Sequence, residues 1–372
     1  MGNTKSDLKL AGVSDVTLGF GSTQVKALME YLSGYYESAQ AIVIEPDQTN
    51  IPPRKELFPG LKIHRVPTTF HIYENRLGRV EYIAQASKLI EKLRPDVLVI
   101  FTTFCLPVLF NLSRRPKFVI YYSLESVSAY GELDIQMNRE IGSKVDLIIF
   151  PEENRAAKFF ELCGQNEIPS CIVYNCVNQN DVTGVLPPST RNGRLIHQGR
   201  LKEETGVDFF LDQRIQSFPI DLYGIVDGKN KEVIHENLSL LLGEVRYKGS
   251  LNHSLLSKLR RNYAYGIVFW RPADENTLFA CPNKFFESIA EGVPPICSPH
   301  PQCALLLNRY NCGLLLDDWS FDSFHGKIKE ALDLYCSERY HKLIENCKKA
   351  VDMELNWPTQ MKKVERHLNK SI

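Results

Sequence analysis

Three short stretches carry residue types that could do chemistry. In "HQGRLKEETGVDFF" (His197–Phe210), Gly199 ends a strand-like run and Arg200 follows at once. A guanidinium at the carboxyl end of a strand can fork onto phosphate oxygens. In "CPNKFFESIAEGVPPICSPH" (Cys281–His300), Pro282, Asn283 and Lys284 open a helical pattern that ends at Gly292. The spacing puts Glu287 one turn in, on the side of Asn283, where a carboxylate can accept two ribose hydroxyls while backbone amides hold phosphate. In "LGFGSTQ" (Leu18–Gln24), Gly19 and Gly21 would let backbone N–H groups approach an anion at a helix start. Each also has a plain reading: a surface arginine, a helix with an acid in its first turn, and a tight turn with Ser22 as N-cap. The G-x-G-x-x-G fingerprint is incomplete because Gln24 fills its last slot, which argues against a dehydrogenase.

The elements that must position these residues alternate between strand and helix. The runs 41–45, 61–66, 96–101, 117–123, 146–150 and 170–175 are short, apolar and rich in β-branched residues. Helical periods over 22–36 and 78–93 fall between them. The stretch "TGVLPPSTRNG" (Thr183–Gly193) has no apolar period and reads as a linker. Alternation then restarts with "RLIHQG", "IDLYGI", "VRYKGS", "YGIVFW" and "VPPICS". The expected fold is α/β, two Rossmann-like doubly wound domains facing an interdomain cleft. The domains are 1–182 and 194–355, joined by 183–193, with a terminal helix over 356–372.

Composition narrows the classes. Lys plus Arg and Asp plus Glu are both 44 in 372 residues, so net charge is zero and no nucleic-acid partner is expected. Ten cysteines without a C-x-x-C or a matching His pair read as reduced thiols, not zinc ligands or disulfides. The longest apolar run, Val97–Phe110, is too short to span a bilayer and is broken by Pro107.

Taken in order, these pieces resemble a family 4 retaining glycosyltransferase of the GT-B fold. "CIVYNCVN", "LIHQGRL", "IDLYGIVDG", "VRYKGSL", "PNKFFESIAEGVPPICS" and "NWPTQMKKVERHL" follow the family's series from about Leu147 to the C-terminus. The N-terminal half matches loosely. The resemblance implies transfer of a sugar from a nucleotide diphosphate donor, UDP- or GDP-linked, to a saccharide or lipid-linked acceptor. The C-terminal domain would hold the nucleotide and the N-terminal domain the acceptor. The terminal helix would return to the N-terminal domain. Glu287 would bind the ribose, Asn283 and Lys284 would lie on the phosphate side, and Tyr247 and Lys248 would border the base. Arg200, with Lys202, would stabilise the leaving diphosphate.

Three departures stand out. The family's first motif acid is replaced by Phe279, with Asp274 and Glu275 the nearest carboxylates. The lysine before the glycine of the "GRL" loop is Thr205, leaving Lys202 as the nearest cation. The histidine after the strand at 117–123 is absent, and Glu125 is the residue that could orient the acceptor hydroxyl. No cofactor and no metal are expected, since cationic side chains can neutralise the diphosphate. The resemblance points to the cytoplasm, at the inner face of a membrane where acceptors are lipid-linked, and to cell-surface polysaccharide or lipopolysaccharide synthesis. A nucleotide-sugar epimerase and a non-catalytic nucleotide-binding module are alternatives on the same fold.

Overall fold

A computed structural model of the chain describes residues 6–18, 23–47, 60–177, 184–241, 243–280 and 282–368. The chain divides into two compact units, Met1–Val173 with Met361–Ile372, and Tyr174–Gln360. The division falls at Val173, so the proline-rich segment around 184–193 belongs to the second unit. Arg191 anchors that segment. Its guanidinium, 5% exposed, donates to the carbonyls of Leu186, Tyr263 and Gly292.

The first unit is built on seven parallel strands. They are β1 (Ser6–Val13), β2 (Ser38–Pro46), β3 (Lys62–Val66), β4 (Val97–Phe101), β5 (Phe118–Tyr122), β6 (Leu147–Phe150) and β7 (Ser170–Ile172). Their spatial order is β3-β2-β1-β4-β5-β6-β7. Every pair is parallel. Helices cover such a sheet on both faces, so its central strands are apolar throughout; all five residues of β4 are buried. The covering helix Arg76–Leu93 is started by Asn75, whose side chain accepts from the Leu77 amide at 2.8 Å. It stops at Arg94, which takes a left-handed conformation. The Tyr31 hydroxyl donates to Glu365, which fastens the terminal segment to this unit's first helix.

The second unit repeats the plan with six strands. They are β8 (Leu195–Leu201), β9 (Ile220–Val226), β10 (Arg246–Tyr247), β11 (Tyr265–Val268), β12 (Pro295–Cys297) and β13 (Leu314–Leu315). The order is β10-β9-β8-β11-β12-β13, again all parallel. The core gathers Leu195, Leu222, Ile267 and Ile296 from the strands with Phe209, Phe210 and Phe324 from helices. In both units the strand order reverses direction about the first strand, between β1 and β4 and between β8 and β11. Open α/β sheets bind ligands beyond the carboxyl ends of their strands at such a switch point.

The expected strands are present, with differences at the margins. β1 (Ser6–Val13) adds a strand ahead of the runs read from the sequence. The two-residue β13 was not foreseen, because so short a strand has no period to read. Cys105, Cys163, Cys176, Cys297, Cys303, Cys312 and Cys347 are buried, and none of the described cysteines is paired. Among the described residues, no helix is long and apolar enough to cross a membrane.

Candidate functional site

The carboxyl edge of the second unit's sheet gathers most of the residues singled out by sequence. At its centre two glycines face each other across adjacent strands, Gly199 of β8 and Gly224 of β9. Their φ angles are +130° and +151°, a region that side chains strongly disfavour. A Cβ on Gly224 would lie 1.6 Å from the Gly199 carbonyl oxygen. Gly224 therefore has no side chain because the two strand ends close on each other there, while Gly199 is exposed and a ligand can approach its backbone. The Tyr247 hydroxyl donates to the Gly224 carbonyl at 3.0 Å, and the Gly224 amide donates to Gly249 at 2.9 Å. This draws the loop carrying the exposed Lys248 onto the glycine pair.

The helix Asn283–Ala290 reaches the same place. Pro282 is extended and forms its N-cap, one position earlier than a first-turn proline. The helix ends as its sequence implies. Gly292 has φ +67°, and the Val293 amide donates to Ser288 at 2.9 Å. Between these ends, Glu287 is 8% exposed. Its Oε2 accepts from Gln198 Nε2 at 2.7 Å and from Arg260 Nη2 at 3.0 Å. Arg260 is 1% exposed and joins three partners. Besides Glu287, it donates through Nε to Gln198 at 2.9 Å and pairs through Nη1 with Glu291 at 3.0 Å. Ser257 adds a 2.6 Å hydroxyl bond to Glu291. Glu287 is thus fixed in one direction beside the residue preceding Gly199.

Lys284 lies one turn before Glu287 on the same helix. Its ammonium is 3.7 Å from the position a Gly199 Cβ would take, and 5.8 Å from the Trp270 ring. Burial lowers its pKa to about 8, opposed by Cys297, Glu287 and Cys303. His197, buried on β8 against Phe210, is held neutral by burial first and by the Lys284 ammonium second. His300 stacks on Trp270 at 3.9 Å, with its ring nitrogens 3.0 Å from the carbonyls of Leu278 and Trp270. That stack fixes the loop after β11.

The remaining residues named from sequence lie at the rim. The Arg200 guanidinium is exposed and pairs with Asp227 at 3.1 Å. Lys202 pairs with Glu204 at 3.6 Å. Thr205, in the slot where the resemblance expects lysine, is a clasp for this turn. Its hydroxyl accepts from the Lys202 amide at 3.1 Å and lies 2.7 Å from the Arg200 carbonyl. Glu275 opens the short helix Glu275–Leu278, capped by Asp274, which accepts from the Thr277 amide at 2.7 Å. Gly19 and Gly21 lie outside the described residues.

Glu125 belongs to the first unit. It follows β5 and pairs with the buried Arg155 at 3.3 Å. Sequence reasoning missed its neighbour Asp15, which follows β1 at the switch point with β4. Asp15 is 5% exposed, and its Oδ1 has no hydrogen-bond partner among the described residues. Burial raises its pKa to about 6; Thr102 and Tyr73 oppose this in part and Glu125 adds to it. At the end of β4, Thr102 has φ +67°, a strained value for a β-branched residue. Sequence reasoning also missed Gln198, Arg260 and Gly224. Gly224 left one signal, a glycine inside the strand-like "IDLYGI". Arg260 left none, since "SKLRRNYAYG" (Ser257–Gly266) reads equally as a small basic patch and as a solvated helix end.

No protein-family model and no curated protein matches this chain. Solved structures do. Anabaena HepE in complex with UDP and glucose is 14% identical, with a TM-score of 0.74 over 96% of this chain and 98% of its own. Sucrose-phosphate synthase from Thermosynechococcus elongatus is 14% identical, with a TM-score of 0.72 over 96% and 98%. WaaG, a glycosyltransferase involved in lipopolysaccharide biosynthesis, is 15% identical, with a TM-score of 0.68 over 97% and 100%. At this identity the likeness is one of fold, and over nearly its whole length this chain has the fold of the GT-B glycosyltransferases.

Proposed function

We propose that the protein is a metal-independent, retaining glycosyltransferase of family 4 type, a hexosyltransferase, which takes its sugar from a nucleoside diphosphate donor. The observation that carries this reading is the fixed Glu287 carboxylate beside the exposed Gly199 backbone, at the switch point of the second unit's sheet. A carboxylate held by Arg260 and Gln198 is oriented to accept ribose hydroxyls. Glycine backbone and the nearby cations suit the diphosphate. HepE was crystallised with UDP, with UDP and glucose, and with UDP-glucose, which supports a uridine donor here.

The residues act as follows. Glu287 holds the ribose, and Tyr247 and Lys248 border the base. As the C1–O bond to the diphosphate breaks, cations beside Gly199 stabilise the growing negative charge. The acceptor oxygen bonds to C1 on the same face, and its proton passes to the departing diphosphate. Glu125 in the first unit orients the acceptor, a saccharide or a lipid-linked saccharide made for a cell-surface polymer.

A panel of UDP- and GDP-sugars, read by thermal shift and then by release of nucleoside diphosphate, tests the reading. One donor should raise stability and turn over. Glu287→Gln should weaken nucleotide binding about tenfold, the worth of one hydrogen bond to a charged group. A chain that binds none of the panel overturns the donor assignment. Isomerised sugar from donor alone would make it an epimerase. Binding without turnover on any acceptor would make it a binding module.

A further inference from the structure

Arg200 and Lys202 are the cations that a reading of the loop after β8 puts first. In the structure Arg200 is exposed and Lys202 half-buried, and both are engaged with carboxylates, Asp227 and Glu204. Lys284 differs in three respects. It has no hydrogen-bond or ion-pair partner among the described residues. Its ammonium stands nearest the bare Gly199 backbone, at 3.7 Å from the absent Cβ. It is also half-buried between β8, β12 and the Trp270 ring, where partial desolvation strengthens attraction for an anion. The groups facing it are Glu287 on its own helix, His197 on β8, Cys297 on β12, Cys303 on the helix Pro301–Tyr310, and the Trp270 ring. His197 is held neutral and both thiols are buried, so Glu287 is the one anion among them, and it is already bound to Arg260 and Gln198.

We propose that Lys284, rather than Arg200 or Lys202, is the principal anchor of the donor diphosphate. The inference rests on the donor reading above and names the residue that holds the anion. It also gives Thr205 a reason to differ from the family pattern. With the diphosphate charge met from the helix Asn283–Ala290, that slot is free to clasp the loop.

A consequence follows for protons. The free amine titrates near pH 8. A diphosphate beside it favours the charged form, so above that pH binding converts the amine to ammonium with one proton drawn from solvent. Affinity then falls as pH rises above about 8.

Isothermal titration of UDP, with GDP in parallel, at pH 8.5 in two buffers of different ionisation enthalpy tests this. The wild type should take up about three-quarters of a proton per nucleotide, the neutral fraction of a group titrating near 8. Lys284→Arg, charged throughout, should bind within about tenfold of wild type with no uptake. Lys284→Met should show no uptake and bind at least about tenfold more weakly. Arg200→Gln should keep the uptake. Unweakened binding by Lys284→Met, or proton uptake that persists in Lys284→Met, overturns the anchor while leaving the donor reading intact. A wild type that binds neither nucleotide overturns both.

Discussion

Two buried charges have consequences that can be measured residue by residue. Arg260, 1% exposed, pairs with both Glu287 and Glu291 in largely buried surroundings. Arg260→Met leaves two buried carboxylates without their cation, and should destabilise the second unit by about 3–5 kcal/mol in urea melts. Arg260→Lys should recover part of this, because an ammonium cannot fork to both acids and Gln198. Asp15 has the opposite sign. Its folded pKa is raised from 3.8 to about 6, so its contribution is fully present below pH 3.8 and is lost as pH rises through about 6. The shift of about two units corresponds to about 3 kcal/mol. Asp15→Asn should therefore match wild type near pH 4 and be more stable at pH 7.5. Equal stability of the two proteins at pH 7.5 would show that the buried carboxyl carries no such cost.

At the scale of elements, the glycine pair decides whether β8 and β9 can end as they do. Gly224→Ala would put a methyl 1.6 Å from the Gly199 carbonyl in a backbone conformation that alanine avoids. The strand ends must then part. The expected result is a loss of about 1–3 kcal/mol, with nucleotide binding weakened at least tenfold. Gly228→Ala is the control. Its φ is also positive, at +99°, but its Cβ would meet only the Lys202 Cβ at 3.7 Å, so strain should appear without loss of the site's backbone. The helix Asn283–Ala290 was legible from its own residues, since Gly292 ends it as the pattern requires. That Glu287 would be gripped by Arg260 was not legible. The partner arrives from the helix His253–Arg260, and nothing local distinguishes Arg260 from its exposed neighbour Lys258.

For the whole molecule, two units with separate sheets and separate cores should unfold in more than one step. A nucleotide bound by the second unit stabilises that unit alone, by about 2.7 kcal/mol at a hundred times Kd. Calorimetry with saturating UDP should shift one transition and leave the other in place. Movement of both transitions together would show that the units unfold as one. The alternation of strands and helices, the expectation of parallel sheets that follows from it, and Gly292 as a helix end were legible in the residues alone. The period of each element and the turn chemistry at its ends depend on residues near one another in the chain, and strand–helix alternation then favours parallel pairing. Which charges are engaged followed from the packing of the folded chain. It set Arg200 and Lys202 against carboxylates, brought Arg260 inside against Glu287 and Glu291, and left Lys284 without an ion-pair partner among the described residues, beside the backbone of Gly199. It also buried Asp15 at the other sheet's edge. The reason is that the cost of burying a charge depends on the groups the fold brings around it, and these come from strands and helices tens of residues apart.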